Sequence, residues 1–236
     1  MEALIWILVV AAVLAGLLIG WHLKMRRRED LASFALAHGL EFSIRDPFGL
    51  LGLPFRFLAK GDGRGAENVM WGAHGDHPLK AFDYWYFEES HSSDGGTSRT
   101  YYRFSCVALE VPAHFPDLQV TPEGLLSRLA DGLGMRDLEM ESEEFNRRYQ
   151  VTSSVRAFAY QMIDARMIRW LLGLRWPLSV AFAGPYVLLW TRRLAPRRLG
   201  TLLGAAGSFR KRIPRMVWGE YGVEPSPGSP SGTGLA

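Results

Sequence analysis

Between Ala3 and Leu23 the chain reads ALIWILVVAAVLAGLLIGWHL, twenty-one residues without a formal charge. As a helix this run is about 31 Å long, matching a hydrocarbon core of about 30 Å. Glu2 precedes it, and Lys24, Arg26, Arg27 and Arg28 follow it. A cleaved export signal carries its positive charge first and a shorter apolar core, so this flank order predicts an uncleaved anchor. Ala15 and Gly16, the small residues that mimic a cleavage site, lie inside the run rather than after it. The basic cluster predicts a single-pass span of the cell membrane, N-terminus outside and everything after Lys24 in the cytoplasm.

A second apolar stretch, Trp176 to Trp190, reads WPLSVAFAGPYVLLW. It is shorter than the usual span and is broken by Gly184-Pro185. Its pattern predicts two strands, LSVAFA and YVLLWT, paired across a Gly-Pro turn.

The remaining pattern alternates between helix and strand signals without a βαβ rhythm. Glu29 to His38 sets Leu31, Phe34, Ala35 and His38 on one helical face, with Gly39 as the stop. Asn68 to Ala73, Leu79 to Phe87 and Tyr101 to Val111 are aromatic and β-branched runs bounded by turn formers, hence strands. The polar connection EESHSSDGGTSRT, Glu88 to Thr100, predicts a hairpin tip turning at Asp94-Gly95-Gly96. Thr121-Pro122-Glu123 has the order of a helix cap and first turn, with Leu125, Leu129 and Leu133 repeating before Gly134. Ser154 is the expected cap of a longer helix burying Phe158, Met162, Ile163, Met167, Trp170 and Leu171. A last helix, beginning near Pro196, buries Leu199, Leu202, Leu203, Ala206 and Phe209.

Strands joined by short turns and then helices predict an α+β domain with a mainly antiparallel sheet. The expected organisation is an anchor with its basic flank at 1–28, an α+β domain at 29–221 and a disordered Gly/Pro/Ser tail at 222–236. A faint echo joins EFSIRDPFGLLGLPFRF to LEMESEEFNRRYQV, each after a helix ending in glycine. It divides the domain into two similar halves, about 29–115 and 116–221, as duplication would, although chance similarity of two αβ units produces the same echo.

Composition narrows the function classes. The chain is 48% apolar and 22% charged, which excludes global disorder. Its net charge is only +3, from 27 basic and 24 acidic residues, so nucleic acid is not an expected partner. The single cysteine excludes an intrachain disulfide and a cysteine-built zinc site, and agrees with a cytoplasmic setting. Eight basic residues between Thr191 and Gly219, with no acid among them, are Arg192, Arg193, Arg197, Arg198, Arg210, Lys211, Arg212 and Arg215. Together with the flank of the span they make anionic phospholipid a candidate partner through the basic C-terminal helix. A solvated face pairing with Glu139 to Glu144 is the competing expectation.

The runs ESEEFNRRYQV and FAYQMIDARMIRWLL, with RDPFGL, ENVMWGAHG, FDYWYF and FRKRIPRMVW, resemble a family of uncharacterised bacterial, mainly actinobacterial, proteins. Its members carry a membrane segment and a domain of unknown function, often with proline where this chain has Ala165. The resemblance runs from about Leu31 to Trp218 and implies a bacterial membrane setting. It implies no activity, cofactor or catalytic residue.

Candidate chemistry is sparse, with no GxSxG elbow, HExxH or Walker loop. Gly61, Gly63 and Ala66 fit a loose GxGxxA pattern, but a strand follows where a dinucleotide site needs a helix, so a surface hairpin loop is expected. His74, Asp76 and His77, joined by His91 if the hairpin tip folds over, have ligand chemistry for a metal, yet HGDHP also reads as a plain polar turn. Glu139, Glu141, Glu143 and Glu144 read as solvent-facing carboxylates on a strand edge, with Arg147 or Arg148 as partners. Cys106 reads as a small buried hydrophobe, and FDYWYF as core. No residue is therefore assigned a catalytic, cofactor or metal role. The expected function is a membrane-tethered cytoplasmic binding or scaffold module. The alternative is an enzyme, a metal-dependent hydrolase using His74, Asp76, His77 and His91.

Overall fold

In a computed structural model, which describes residues 2–75, 77–92, 95–123 and 136–223, the apolar run and the segment after it form one helix, α1 (Glu2–Ala37). No glycine or proline interrupts the chain from Trp21 to Ala37, so nothing separates the apolar run from the amphipathic turns that follow. The helix stops at Gly39, whose φ of +67° lets the Leu40 amide return to the Ala35 carbonyl at 2.8 Å. Large apolar side chains from Leu4 to Leu23 are exposed, whereas Leu31 and Ala35 are buried. His38, expected on the buried stripe, is exposed instead, stacked on Phe34 with ring centroids 3.9 Å apart.

Among the described residues seven strands make one sheet with antiparallel pairings throughout: β1 (Glu41–Arg45), β2 (Gly63–His74), β3 (His77–His91), β4 (Thr97–Pro122), β5 (Arg136–Leu138), β6 (Tyr149–Ser153) and β7 (Ser179–Arg192). The order is β1-β2-β3-β4-β6-β5, and β7 pairs along the other edge of β4. Consecutive strand residues point to opposite faces, so the sheet splits two cores. Met70, Ala81, Val107 and Leu189 pack beneath α1, α3 (Arg156–Met162), α4 (Ala165–Leu172), α5 (Leu199–Arg210) and α6 (Arg215–Tyr221). Val69, Phe82, Cys106 and Leu188 face the irregular segment 46–60, where Phe57 stacks on Trp190 at 4.4 Å. This is the α+β architecture expected.

Several local expectations are corrected. LSVAFA and YVLLWT do not pair with each other; both pair with β4, and β7 runs unbroken through Gly184-Pro185. Gly184 takes φ +55° opposite Phe115, and β4 carries extra residues on both sides of Phe115, so the Gly-Pro pair lies opposite bulges of β4 and is not a hairpin turn. Thr121 and Pro122 end β4, paired with Gln150 and Tyr149, and the helix expected after them lies outside the described residues. Ser154 caps nothing: its hydroxyl donates to the Asp117 carbonyl, and α3 begins at Arg156. The helix expected there is two helices, divided at Ile163-Asp164, with the Asp164 carboxylate accepting from the Arg166 and Met167 amides. The GxGxxA residues Gly63 and Ala66 open β2 rather than a loop. Glu143 and Glu144 lie in the first turn of α2 (Glu143–Asn146), capped by Ser142, not on a strand edge, and Glu144 pairs with Arg148 at 3.7 Å.

Candidate functional site

The joint between the apolar helix and the sheet is the most tightly built polar site. Arg27 lies four residues past Leu23, about 6 Å along the helix. Its Nε and Nη2 donate to the two carboxylate oxygens of Asp83, each at 2.7 Å, and its Nη1 donates to the Leu194 carbonyl at 2.8 Å. Asp83, 5% exposed in the middle of β3, also accepts from Asn68 Nδ2 at 3.0 Å. That third bond depends on a bulge. Glu67 opposes Asp83 and Met70 opposes Ala81, so β2 carries an extra residue, and Asn68 absorbs it with φ +55°. Asparagine tolerates this left-handed conformation better than branched residues do. Glu67 in turn takes Lys24 at 3.2 Å and Arg28 at 3.8 Å. Three cations of the basic flank are thus bound by the domain itself. Arg193 stands beside them, its guanidinium pushed below the usual arginine value by burial and then by Arg27.

On the opposite sheet face lies an open apolar pocket of ≈ 200 Å³, lined among others by Phe48, Leu53, Trp71, Ala108 and Tyr186, with Lys80 and Glu110 as charged groups. The RDPFGL motif builds one wall. The Asp46 carboxylate accepts from the Phe48 amide at 2.9 Å and the Leu50 amide at 2.6 Å, an Asx turn that Gly49 completes at φ +65°. The turn presents Phe48 edge-on to Trp71 at 5.1 Å, under the Lys80 ammonium at 4.9 Å. Phe48 remains 42% exposed, an apolar ring held in place without being covered. An arrangement of this kind binds an apolar group and orients it by one cation and one carboxylate.

The histidines do not converge. His74 and His77 face each other across the β2–β3 hairpin, and Asp76 lies outside the described residues. His91 sits at the other end of β3, fourteen residues from His77, about 46 Å along a strand. The tip does not fold back, because β3 stays paired with β4 as far as His91↔Thr97. Arg210 Nη1 approaches both ring nitrogens of His77, at 2.8 and 2.7 Å, placing a cation where a metal would stand. No group of three or more metal-ligating side chains occurs among the described residues. The basic C-terminal stretch is likewise divided. Arg210 lies over the Trp218 ring and Arg212 over Trp170, at 5.7 and 5.3 Å, turned onto the protein itself. Cys106 is fully buried, and desolvation raises its thiol well above the ordinary value, as expected of a packing residue. Asp83, Asn68, Phe48 and Trp71 escaped the sequence reading. Their signal was a lone carboxylate inside FDYWYF and an aspartate before Pro47.

These features define an α+β protein with a mainly antiparallel sheet and an N-terminal apolar helix compatible with membrane anchoring. No protein-family model matches the chain, and no curated protein matches it. Among solved structures, the crystal structure of the mycobacterial trehalose monomycolate transport factor A, TtfA, superposes with a TM-score of 0.57 at 14% identity. The match covers 80% of this chain and 95% of that chain. The likeness is one of fold, and its mycobacterial source is consistent with the actinobacterial family that the sequence motifs resemble.

Proposed function

We propose that this protein is a single-pass, membrane-tethered binding module, N-terminus outside and α+β domain in the cytoplasm, that holds a partner protein for a membrane process. The observation that carries the reading is the joint: α1 leaves the apolar run without a break and is fixed to β3 by Arg27 and Asp83. A domain so attached presents its pocket at a set position relative to the bilayer. The fold likeness to a transport factor supports an accessory role of the same kind. The pocket's occupant, on this reading, is an apolar side chain of the partner, with a charged neighbour meeting Lys80 or Glu110. Anionic phospholipid is assigned to Arg192, Arg193, Arg197 and Arg198, since Arg210 and Arg212 are engaged elsewhere.

A photo-crosslinking residue at position 48 of the full chain, in native membranes, tests the pocket. The expected result is a discrete protein adduct that is lost in Lys80→Glu and absent when the crosslinker replaces Arg156. Adducts confined to lipid, or identical adducts from both positions, would contradict the reading.

A further inference from the structure

The β3–β4 hairpin continues well past the joint, and two contacts fix its direction relative to α1. At one end the His38 ring lies 6.4 Å from the His74 ring, and His74 is opposite His77. At the other, Arg27 binds Asp83 at 2.7 Å. Eleven helical residues, about 16 Å, therefore run antiparallel to six strand residues, about 20 Å. Beyond Asp83, β3 extends eight residues to His91, about 26 Å, in the direction that α1 takes toward its apolar run. Leu23 is reached after about 6 Å of that distance.

The arm's α1-side face is unlike the rest of the exposed sheet. Trp85, Phe87 and Tyr101 form one aromatic plate, with ring centroids 6.4, 5.3 and 6.2 Å apart. Gly65 and Gly63 oppose Trp85 and Phe87 in β2, and a methyl group at either glycine would collide with the ring beside it. The Trp85 and Phe87 rings, 11° apart in plane, therefore lie over a glycine shelf, with Tyr101 tilted against them by 47° and 52°. Arg99 sits over Phe87 at 4.8 Å and Arg103 over Tyr101 at 5.2 Å. Tyr101 is 45% exposed. Trp85 and Phe87 stand about 7 and 13 Å from Asp83 along the arm, and Asp83 itself lies beside Arg27, about 6 Å outside the end of the apolar run at Leu23, the depth of a headgroup layer. Tryptophan, tyrosine and arginine together are the side chains favoured at that depth, apolar in body and polar at the tip.

We propose that this arm docks on the membrane interface, with the Trp85–Phe87–Tyr101 plate against the headgroup–acyl boundary beside the span. The inference rests on the anchoring reading above. The arm runs alongside α1 in the structure, and because the polar tip, EESHSSDGGTSRT, does not enter hydrocarbon, docking requires it to splay from α1 at the membrane and lie along the surface. Splaying turns the face that looks toward α1 onto the bilayer. Glu89 bridges Arg99 at 2.7 Å, leaving the face little net charge, so contact depends on the rings rather than on anionic lipid.

Full-length protein in vesicles, carrying an environment-sensitive fluorophore at Tyr101→Cys, tests this against lipids spin-labelled near the headgroup. Buried Cys106 does not compete for the label. Quenching at position 101 is expected to exceed that at Met216→Cys several-fold, in neutral and anionic vesicles alike, and to fall in Trp85→Ser/Phe87→Ser. A label at Leu14→Cys, read with deep spin labels, reports on the span separately. Quenching at 14 but not at 101 would overturn the docked arm and leave the anchor standing; no quenching at 14 would overturn the anchor. Quenching at 101 that requires anionic lipid would overturn the aromatic contact.

Discussion

A carboxylate buried in an aromatic strand loses its hydration, and Asp83 regains it only through Arg27 and Asn68. Their side chains are 13% and 7% exposed for Arg27 and Asp83, so removing one partner strands a charge. Arg27→Met is expected to destabilise the full chain in detergent micelles by about 3–5 kcal/mol, and Arg27→Met/Asp83→Leu to recover most of that loss. Denaturant titration reads both; a single-variant loss below about 1 kcal/mol would mark the pair as solvent-screened. Cys106 gives a pH prediction. Burial raises the native thiol above its ordinary value of 9.0, whereas the unfolded thiol stays near it. Above that value the unfolded chain binds fewer protons than the native one, so stability is complete below about pH 8.5 and falls as pH rises. Cys106→Ala should show a shallower fall than wild type between about pH 8.5 and 10 by the same linkage, and equal slopes would contradict it. The buried role of Cys106 was legible from its neighbours, but the Arg27–Asp83 pair was not. Residues 56 apart meet only through the packing of a helix on a sheet, and no local spacing encodes that meeting.

At the scale of elements, hydrophobic periodicity located β2, β3 and β4 and the buried stripe of α5, because each reflects a local alternation between inside and outside. It failed where continuity was decided by a distant partner. Gly184-Pro185 reads as a turn, yet β4 is long enough to pair with both sides of it. The helix from Ser154 divides because Asp164 caps a second one, and this division makes a sharp prediction. Ala165 is the first residue of α4, and Asp164 before it has φ −73° and ψ 172°, the extended conformation that precedes proline. Ala165→Pro should therefore be neutral or stabilising by up to about 1 kcal/mol in thermal unfolding. A loss of about 3 kcal/mol would mean that the helix runs through.

For the molecule as a whole, the pattern of the first 28 residues carried the N-terminal apolar helix, which is compatible with membrane anchoring, and the fold class followed from the succession of strands and helices. The pocket was not legible, because its wall is an Asx turn whose sequence, Asp46-Pro47-Phe48, is common to many loops, and its floor comes from two strands. The central claim is that α1 crosses the membrane once and holds the domain on the cytoplasmic side. It is tested by labelling single cysteines in intact cells with a membrane-impermeant maleimide, at Glu2→Cys and at the exposed Ser154→Cys. The account predicts that Glu2→Cys labels in intact cells and that Ser154→Cys labels only after permeabilisation; labelling of Ser154→Cys in intact cells would contradict it.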